Sequence, residues 1–480
     1  MGSMKSMVRT RFAPSPSGFL HLGNARTALF NALLAKRGNG KFLLRIEDTD
    51  AERTHMRFVE SLLDDLRWLN IEWDEGPADA TSPSSYFQSR RGGVYARYYR
   101  ALEERGLAYP CFCSPGELEC ARRARLASGR PPRYSGKCAH LTEVEVARRL
   151  AQGAQPSLRF RVPEEALIEF DDLVRGAQKF RGSDIGDFVI RRADGSAAFF
   201  FCNAVDDASM EVTHVLRGAD HLPNTPRQIL LLEALDLRKP EYGHISLITG
   251  DDGAPLSKRN GSRSLRELRE AGYLPRAVVN LLARLGHSYA ATGVLDMADL
   301  AREFTLEALG KAPARFDPKQ LDHWQRAVIG AENDKTLWDW LPPAARELIP
   351  AAQRGLFLGL VRSNCSFPAD AGAWARVLFT DPVARSSDIT AIARQGGSGF
   401  FAHALEAARR WPHDFSGFIE ALKQATGARG KRLFQPLRAA LTGRLDGPDM
   451  ATLYSLIDPA RLRQRLGEFI ETIPNRAENS

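Results

Sequence analysis

At the start of the chain the spacing of apolar positions changes twice. Val8 to Ala13 alternates as a strand, Pro14 to Gly18 reads as a turn, and Asn24 to Lys36 then carries Ala25, Ala28, Leu29, Leu33 and Leu34 at helical spacing. Gly38 and Gly40 stop that helix. Lys41 to Ile46 reads as a buried strand whose end delivers Glu47-Asp48-Thr49-Asp50. Thr54 to Leu69 follows with Phe58, Leu62, Leu63, Leu66 and Leu69 on one helical face. The pattern is βαβ, with polar groups at the carboxyl ends of the strands, the edge at which open parallel sheets bind ligands.

From Tyr109 the pattern gives way to cysteines, Arg/Pro/Gly-rich sequence and short strands such as Ser157 to Val162. Ala193-Asp194-Gly195 predicts a hairpin turn between Phe188-Val189-Ile190 and Phe199-Phe200-Phe201. Tyr109 to about Ala198 therefore reads as an insertion in the sheet domain. The α/β pattern resumes with a strand at Val212 to Leu216, a helix over Thr225 to Leu235 and a strand at His244 to Ile248, then reaches a basic loop, Asp251 to Gly261. Beyond the loop the periodicity is helical, at Leu265 to Ala271, Pro275 to Leu285, Ala298 to Phe304, Asp317 to Ala327 and from Leu337 to Asn479. There is no internal repeat and no low-complexity segment.

Composition narrows the class. A chain of 480 residues is too long for one core, so several domains are expected. No run reaches the ~18 to 20 apolar residues of a membrane span, and Ala277 to Val294 is broken by Arg284 and His287. Met1 to Met7 has no apolar stretch and reads as a cloning scar rather than a signal peptide. Six cysteines are too few for a disulfide scaffold, which argues for a reducing, cytoplasmic setting. The net charge of +8 favours a polyanionic partner, and about half of it lies from Arg326 onward, with 20 basic against 16 acidic residues.

Two constellations carry chemistry. A strand that turns into a helix opening on His21 presents free amides and the positive end of a helix dipole, which suits a phosphate. Cys111, Cys113 and Cys138, with His140 two residues on, have the residue types of a structural zinc site. Cys120 fits no such arrangement, and Cys202 and Cys365 read as core residues.

The pairing of the His21-Leu22-Gly23-Asn24 turn with Leu256-Ser257-Lys258-Arg259 resembles the two nucleotide-binding signatures of class I aminoacyl-tRNA synthetases. The runs Arg11 to Gly23, Leu44-Arg45-Ile46-Glu47-Asp48-Thr49-Asp50 and Asn224-Thr225-Pro226-Arg227-Gln228 are similar to the bacterial glutamyl-tRNA synthetase family, over essentially the whole chain. The resemblance implies an α/β, Rossmann-type parallel-sheet catalytic domain with an inserted acceptor-binding domain, followed by all-helical C-terminal domains. Its parts would be residues 8–108 and 199–261 for the catalytic halves, 109–198 for the insertion, 262–325 for a stem-contact domain and 326–480 for an anticodon-binding domain. The segment Lys431 to Pro448, basic residues beside aromatics, resembles part of that last domain.

The implied reaction is attack of the glutamate carboxylate on the α-phosphate of ATP, with Mg²⁺ accompanying the ATP, then transfer to the 3′-terminal adenosine of tRNA. Positioning and charge neutralisation carry such a step. By the resemblance His21, Gly23 and Asn24 face ATP, and Lys258 with Ser257 and Arg259 closes over pyrophosphate; His21 and Lys258 are the catalytic pair. Arg11 and Arg217 would take carboxylates bidentately, as lysine would not. Ser15 and Asn203 orient, Glu47 receives the α-ammonium, and Phe199 lines the same wall. Cys111, Cys113, Cys138 and His140 would hold one structural Zn²⁺, with Tyr134 as the alternative fourth ligand. His140 is preferred because imidazole needs no deprotonation. The expected enzyme is cytoplasmic and monomeric, with tRNA, glutamate and ATP as its partners.

The chain departs from the family pattern in places. Phe199 stands where the family has a tyrosine, a loss of one hydroxyl worth ~0.5 to 1.5 kcal/mol of binding. Pro255 replaces a lysine, Asn260 a histidine and Ala219 an acidic residue. These departures keep a catalytically reduced tRNA-binding paralogue in view. A glutamyl-queuosine tRNA synthetase is disfavoured by the helical tail, and a glutaminyl-tRNA synthetase by the absence of strand alternation there.

Overall fold

Arg9–Phe12 and Lys41–Leu44 pair in parallel, Arg9 opposite Lys41 and Phe12 opposite Leu44, and the helix Leu22–Arg37 connects them. Asn31 pins that helix to the sheet: its carbonyl accepts from the Thr10 hydroxyl at 2.8 Å and its side-chain amide donates to Leu216 O at 3.0 Å. A second parallel pair, His214–Gly218 with Glu241–Ile245, is joined by the helix Thr225–Ala234. The Thr213 amide donates to Arg9 O at 2.8 Å, so the two pairs lie side by side.

These strands lie a few residues from their predicted positions. Glu241–Ile245 is buried from Tyr242 to Ile245, His244 included, so no alternation of apolar and polar residues marks its ends. The predicted hairpin is half right. Gly195 takes a positive φ of 86° and the Arg192 amide donates to Ser196 O at 2.8 Å, which makes the turn. Phe199-Phe200-Phe201 is not its second arm but the start of a helix, Phe199–Ser209. Phe201, Cys202, Ala204 and Val205 form the buried face of that helix, and Phe201 stacks on Tyr99 at 4.2 Å. Packing of this face overrides the β preference of three aromatic residues.

The computed structural model describes residues 7–50, 54–79, 85–129, 131–250, 252–256 and 263–470. The chain divides into two units. The first comprises Met1–Glu270 with Pro275–Leu321 and the second Ala271–Leu274 with Asp322–Ser480. Within the first, the segment after Tyr109 builds a three-stranded antiparallel sheet of Ala108–Cys111, Ser157–Phe160 and Phe188–Arg191, and a hairpin of Leu167–Asp172 with Gly176–Arg181. Two helices that the sequence reading lacked, Pro115–Ala127 and Glu143–Ala151, open on the capping boxes Ser114/Glu117 and Thr142/Glu145.

The described elements of the second unit from Asp334 onward are helices, as the periodicity predicts. Arg465 is fully buried there, donating to Asp381 Oδ1 (3.0 Å), Leu441 O (2.7 Å) and Thr380 O (2.8 Å). Among the described residues no helix is long and apolar enough to cross a membrane. The helix Lys431–Thr442 ends on Gly443 at φ 66°, where a Cβ would lie 2.2 Å from Ala384 O. Gly443→Ala is expected to destabilise the second unit by ~2 to 3 kcal/mol, from left-handed strain plus overpacking. Urea unfolding should show it as a lowered midpoint at unchanged slope.

Candidate active site

The turn after the first strand delivers His21 as the N-cap of Leu22–Arg37. Its Nδ1 accepts from the Gly23 amide at 3.2 Å, so the ring proton resides on Nε2, which is left to donate. A Cβ at position 23 would lie 3.1 Å from the imidazole, so a larger residue there would crowd the ring. Asn24 follows in the first turn of the helix, half-buried, and Ser15 is exposed in the preceding turn. The chain returns to this point later: Ser264 bridges to His21, and the Leu265 amide donates to Leu20 O at 2.9 Å. Ahead of the loop's basic residues, the Leu256 amide donates to Ile248 O at 2.9 Å and Pro255 bridges to Thr249. Ser257, Lys258, Arg259 and Asn260 lie outside the described residues.

Behind the turn lies a buried cluster of charges. Asp207, on the helix Phe199–Ser209, accepts from Arg11 Nε at 3.2 Å and pairs with Arg45 Nη1 at 2.7 Å. Burial alone would raise its carboxyl, but Arg11 and Arg45 hold it below its ordinary value. Arg45 is wholly buried and also donates to Asn203 Oδ1 at 2.9 Å. Asp206 takes hydrogen bonds from Arg91 Nε (2.7 Å), Gln88 Nε2 (2.9 Å) and the Tyr95 hydroxyl (2.7 Å). Glu47, at the end of the second strand, is pushed up to about 7 by burial, with Arg45, Arg11 and Asn203 pulling the other way.

Arg217, from the strand His214–Gly218, is buried and held by His244 and Thr225, at 3.1 Å from Nε to His244 Nε2 and 2.7 Å from Nη2 to Thr225 Oγ1. Its Nη1 is buried with no hydrogen-bond partner among the described residues. Burial, with repulsion from Arg11, pushes its guanidinium down to about 10. Two buried arginines influencing each other, one with a free corner, define a place for an anion, and Glu47 beside them a place for a cation. Phe199, half-buried at the start of its helix, has its ring 5.4 Å from His221. The His221 imidazole is drawn down to about 4 by burial, then by Arg217, so it stays neutral. Ala219 opens the short helical turn Ala219–Asn224.

The cysteine cluster forms apart from this site, at the end of the strand Ala108–Cys111. The sulfur atoms of Cys111, Cys113 and Cys138 lie within 4.8 Å of one another. The Tyr134 hydroxyl sits 3.4 Å from Cys111 Sγ and 3.5 Å from Cys113 Sγ and accepts from the Cys138 amide at 2.9 Å. Tetrahedral zinc with bonds of ~2.3 Å needs thiolates ~3.8 Å apart, and Cys113 and Cys138, at 3.6 Å, already meet that. His140 is exposed and does not join the group. The Tyr134 hydroxyl, not the exposed His140, is thus the oxygen or nitrogen donor that lies against the sulfur atoms. Cys120 is exposed, and Cys202 and Cys365 are buried, as expected.

Of the residues singled out in the sequence, the structure brings Arg11, Glu47, Asn203, Arg217 and Phe199 around one charge cluster. Sequence reasoning missed Arg45, Asp207, His221, Thr225 and His244 as parts of it. The acidic pair Asp206-Asp207 was a visible signal, since two carboxylates on an otherwise apolar helix need cationic partners.

A family profile described as tRNA synthetases class I (E and Q), catalytic domain, matches residues 7–323, and one described as an anticodon binding domain matches residues 296–470. The chain is 58% identical over 464 residues to glutamate–tRNA ligase 1 of Methylococcus capsulatus, covering 97% of this chain and 99% of that one. It is 56% identical to glutamate–tRNA ligase 2 of Nitrosococcus oceani, with the same coverage. A crystal structure of a glutamate tRNA ligase from Elizabethkingia meningosepticum, in complex with its amino acid, superposes with a TM-score of 0.87 at 29% identity, covering 98% of this chain and 100% of that one. With the anion and cation places on the page, these likenesses have a physical counterpart in the site, and the chain belongs to the class I aminoacyl-tRNA synthetases of the glutamate and glutamine type.

Proposed function

We propose that this protein is a glutamate–tRNA ligase that activates glutamate with ATP and transfers it to the 3′-terminal adenosine of tRNA(Glu), with tRNA(Gln) the additional or alternative acceptor that the charging experiment below decides. The observation that carries this reading is the pair of buried arginines, Arg11 and Arg217, with Glu47 beside them, behind a helix N-terminus that opens on His21. A dicarboxylic amino acid supplies two anions and one ammonium to match. Arg11, with its Nε held by Asp207, and Arg217, with Nη1 free, take carboxylates, and Ser15 and Asn203 orient the substrate.

The substrate carboxylate attacks the α-phosphate in line and pyrophosphate leaves. His21 donates from Nε2 to a phosphoryl oxygen as charge builds there, and the free amides of the first helical turn act in the same sense. Gly23 and Asn24 lie against the nucleotide, which enters as its Mg²⁺ complex. Lys258, with Ser257 and Arg259, neutralises the leaving pyrophosphate. Phe199 contributes shape but no hydrogen bond. In this reading the insertion receives the acceptor end of tRNA and the helical second unit its anticodon, and the enzyme is cytoplasmic and monomeric. Cys111, Cys113, Cys138 and Tyr134 are the donors that would hold one structural Zn²⁺, which would supply a crosslink within the insertion.

Glutamate-dependent ATP–pyrophosphate exchange, assayed with tRNA present, is expected to be robust; no exchange with any amino acid would leave a catalytically reduced tRNA-binding paralogue. Charging purified tRNA(Glu) and tRNA(Gln) in turn decides the acceptor. Because Glu47 must be ionised to hold the ammonium, kcat/KM for glutamate should fall about tenfold per pH unit below about 7. Glu47→Gln should flatten that profile. Metal analysis of protein purified without chelator should find about one zinc per chain. Tyr134→Phe should weaken zinc retention by at least roughly tenfold, while His140→Ala leaves it unchanged; the opposite order would restore His140 as the ligand.

A further inference from the structure

Arg217 sits directly opposite His244 in the parallel register of His214–Gly218 and Glu241–Ile245, so both side chains leave the sheet on the same face. A guanidinium can only donate, and Arg217 Nε lies 3.1 Å from His244 Nε2, so that nitrogen must be the acceptor. The ring proton therefore resides on Nδ1, where it is donated to Asp172 Oδ2 at 2.5 Å. The other oxygen of Asp172 is fixed by the amides of Val174 (2.9 Å), Arg175 (2.8 Å) and His244 (3.1 Å). Thr225 Oγ1 accepts from Arg217 Nη2 at 2.7 Å and lies 3.0 Å from His244 Nε2. His244 and Thr225 have no exposed surface, and Asp172 is 4% exposed.

We propose that Asp172, His244 and Thr225 are positioning residues that hold the Arg217 guanidinium by Nε and Nη2, so that its unpartnered Nη1 is presented to a substrate carboxylate. The inference rests on the reading of Arg217 as a glutamate-binding residue. An arginine side chain has many rotamers, and its ordering must be supplied before the substrate arrives. Asp172 supplies it at one remove. Its negative charge selects the imidazole tautomer, and without that selection the ring could turn an N–H toward Arg217, setting donor against donor. The neutral ring also avoids a second cation beside the guanidinium. Burial lowers the His244 pKa against the pull of Asp172, in keeping with that state. Asp172 belongs to the hairpin of the insertion, and the Leu173 amide donates to Tyr242 O at 2.8 Å, so the inserted segment is tied to the strand that carries His244.

The test compares glutamate KM in the tRNA-supported exchange assay with glutamate binding by calorimetry, in the full-length protein. His244→Asn keeps a donor for Asp172 but removes the acceptor for Arg217. It is expected to raise glutamate KM roughly tenfold or more, with kcat less affected and the KM for ATP unchanged. His244→Gln, whose amide oxygen can take the place of Nε2, should recover most of the affinity. Thr225→Val, nearly the same shape, should raise glutamate KM by roughly threefold or more, and it carries the test if the His244 variants fail to give a cooperative melt. Arg217→Ala serves as the control for the underlying reading. If it leaves glutamate KM unaltered, the assignment of Arg217 to glutamate fails. If it raises KM while His244→Asn and Thr225→Val only lower the melting temperature, the assignment stands and the positioning role is overturned.

Discussion

The carboxylate of Asp207 is the point on which the catalytic unit depends. It sits between Arg11 of the first strand and Arg45 at the end of the second, and all three are buried. Taking three ionised groups out of water is costly, and the cost is met only when each finds its partners in good geometry. Removing Asp207 would leave two buried cations facing one another. Removing Arg45 would strip Asp207 and Asn203 at once. The helix Phe199–Ser209, far from the first two strands in sequence, is therefore held against them by electrostatics as well as by apolar packing.

The ATP side has a different physics. In the proposed reading, His21, Gly23 and the opening turn of Leu22–Arg37 act through free donors rather than paired charges, because a polyphosphate brings its own negative charge and needs only a receptive surface. In the same reading the glutamate side must discriminate, and the buried Arg11 and Arg217 suit that task. Phe199 marks the tolerance of this design. In the proposed reading, losing a single hydroxyl there removes one contact but leaves the two guanidinium groups and Glu47 to carry the charge complementarity.

The helix over Leu22–Arg37 was legible because its apolar period is local and unbroken, and the helical tail was legible for the same reason. The family was legible through its motifs, and the residues those motifs nominate include Arg11, Glu47, Asn203 and Arg217, which the fold gathers around one charge cluster. The three aromatic residues at Phe199 were misread as a strand because propensity saw β-formers and could not see Tyr99 waiting to stack on Phe201. Which side chain lies against the cysteine cluster was illegible for a related reason. Basicity favoured His140, but the direction of a turn decided that the hydroxyl of Tyr134 lies against two sulfur atoms.

The amino-acid sequence by itself thus determined the α/β order of the catalytic unit, the helical tail and the strand–turn–helix that opens on His21. Tertiary structure alone decided that Asp207, 196 positions beyond Arg11, is its partner, and that a histidine in a buried strand holds Arg217 in place. The division has one physical cause. Periodicity, caps and motifs are set by neighbours a few residues apart, whereas a buried charge is satisfied by whichever group the fold brings within hydrogen-bond reach, and sequence spacing carries no record of that.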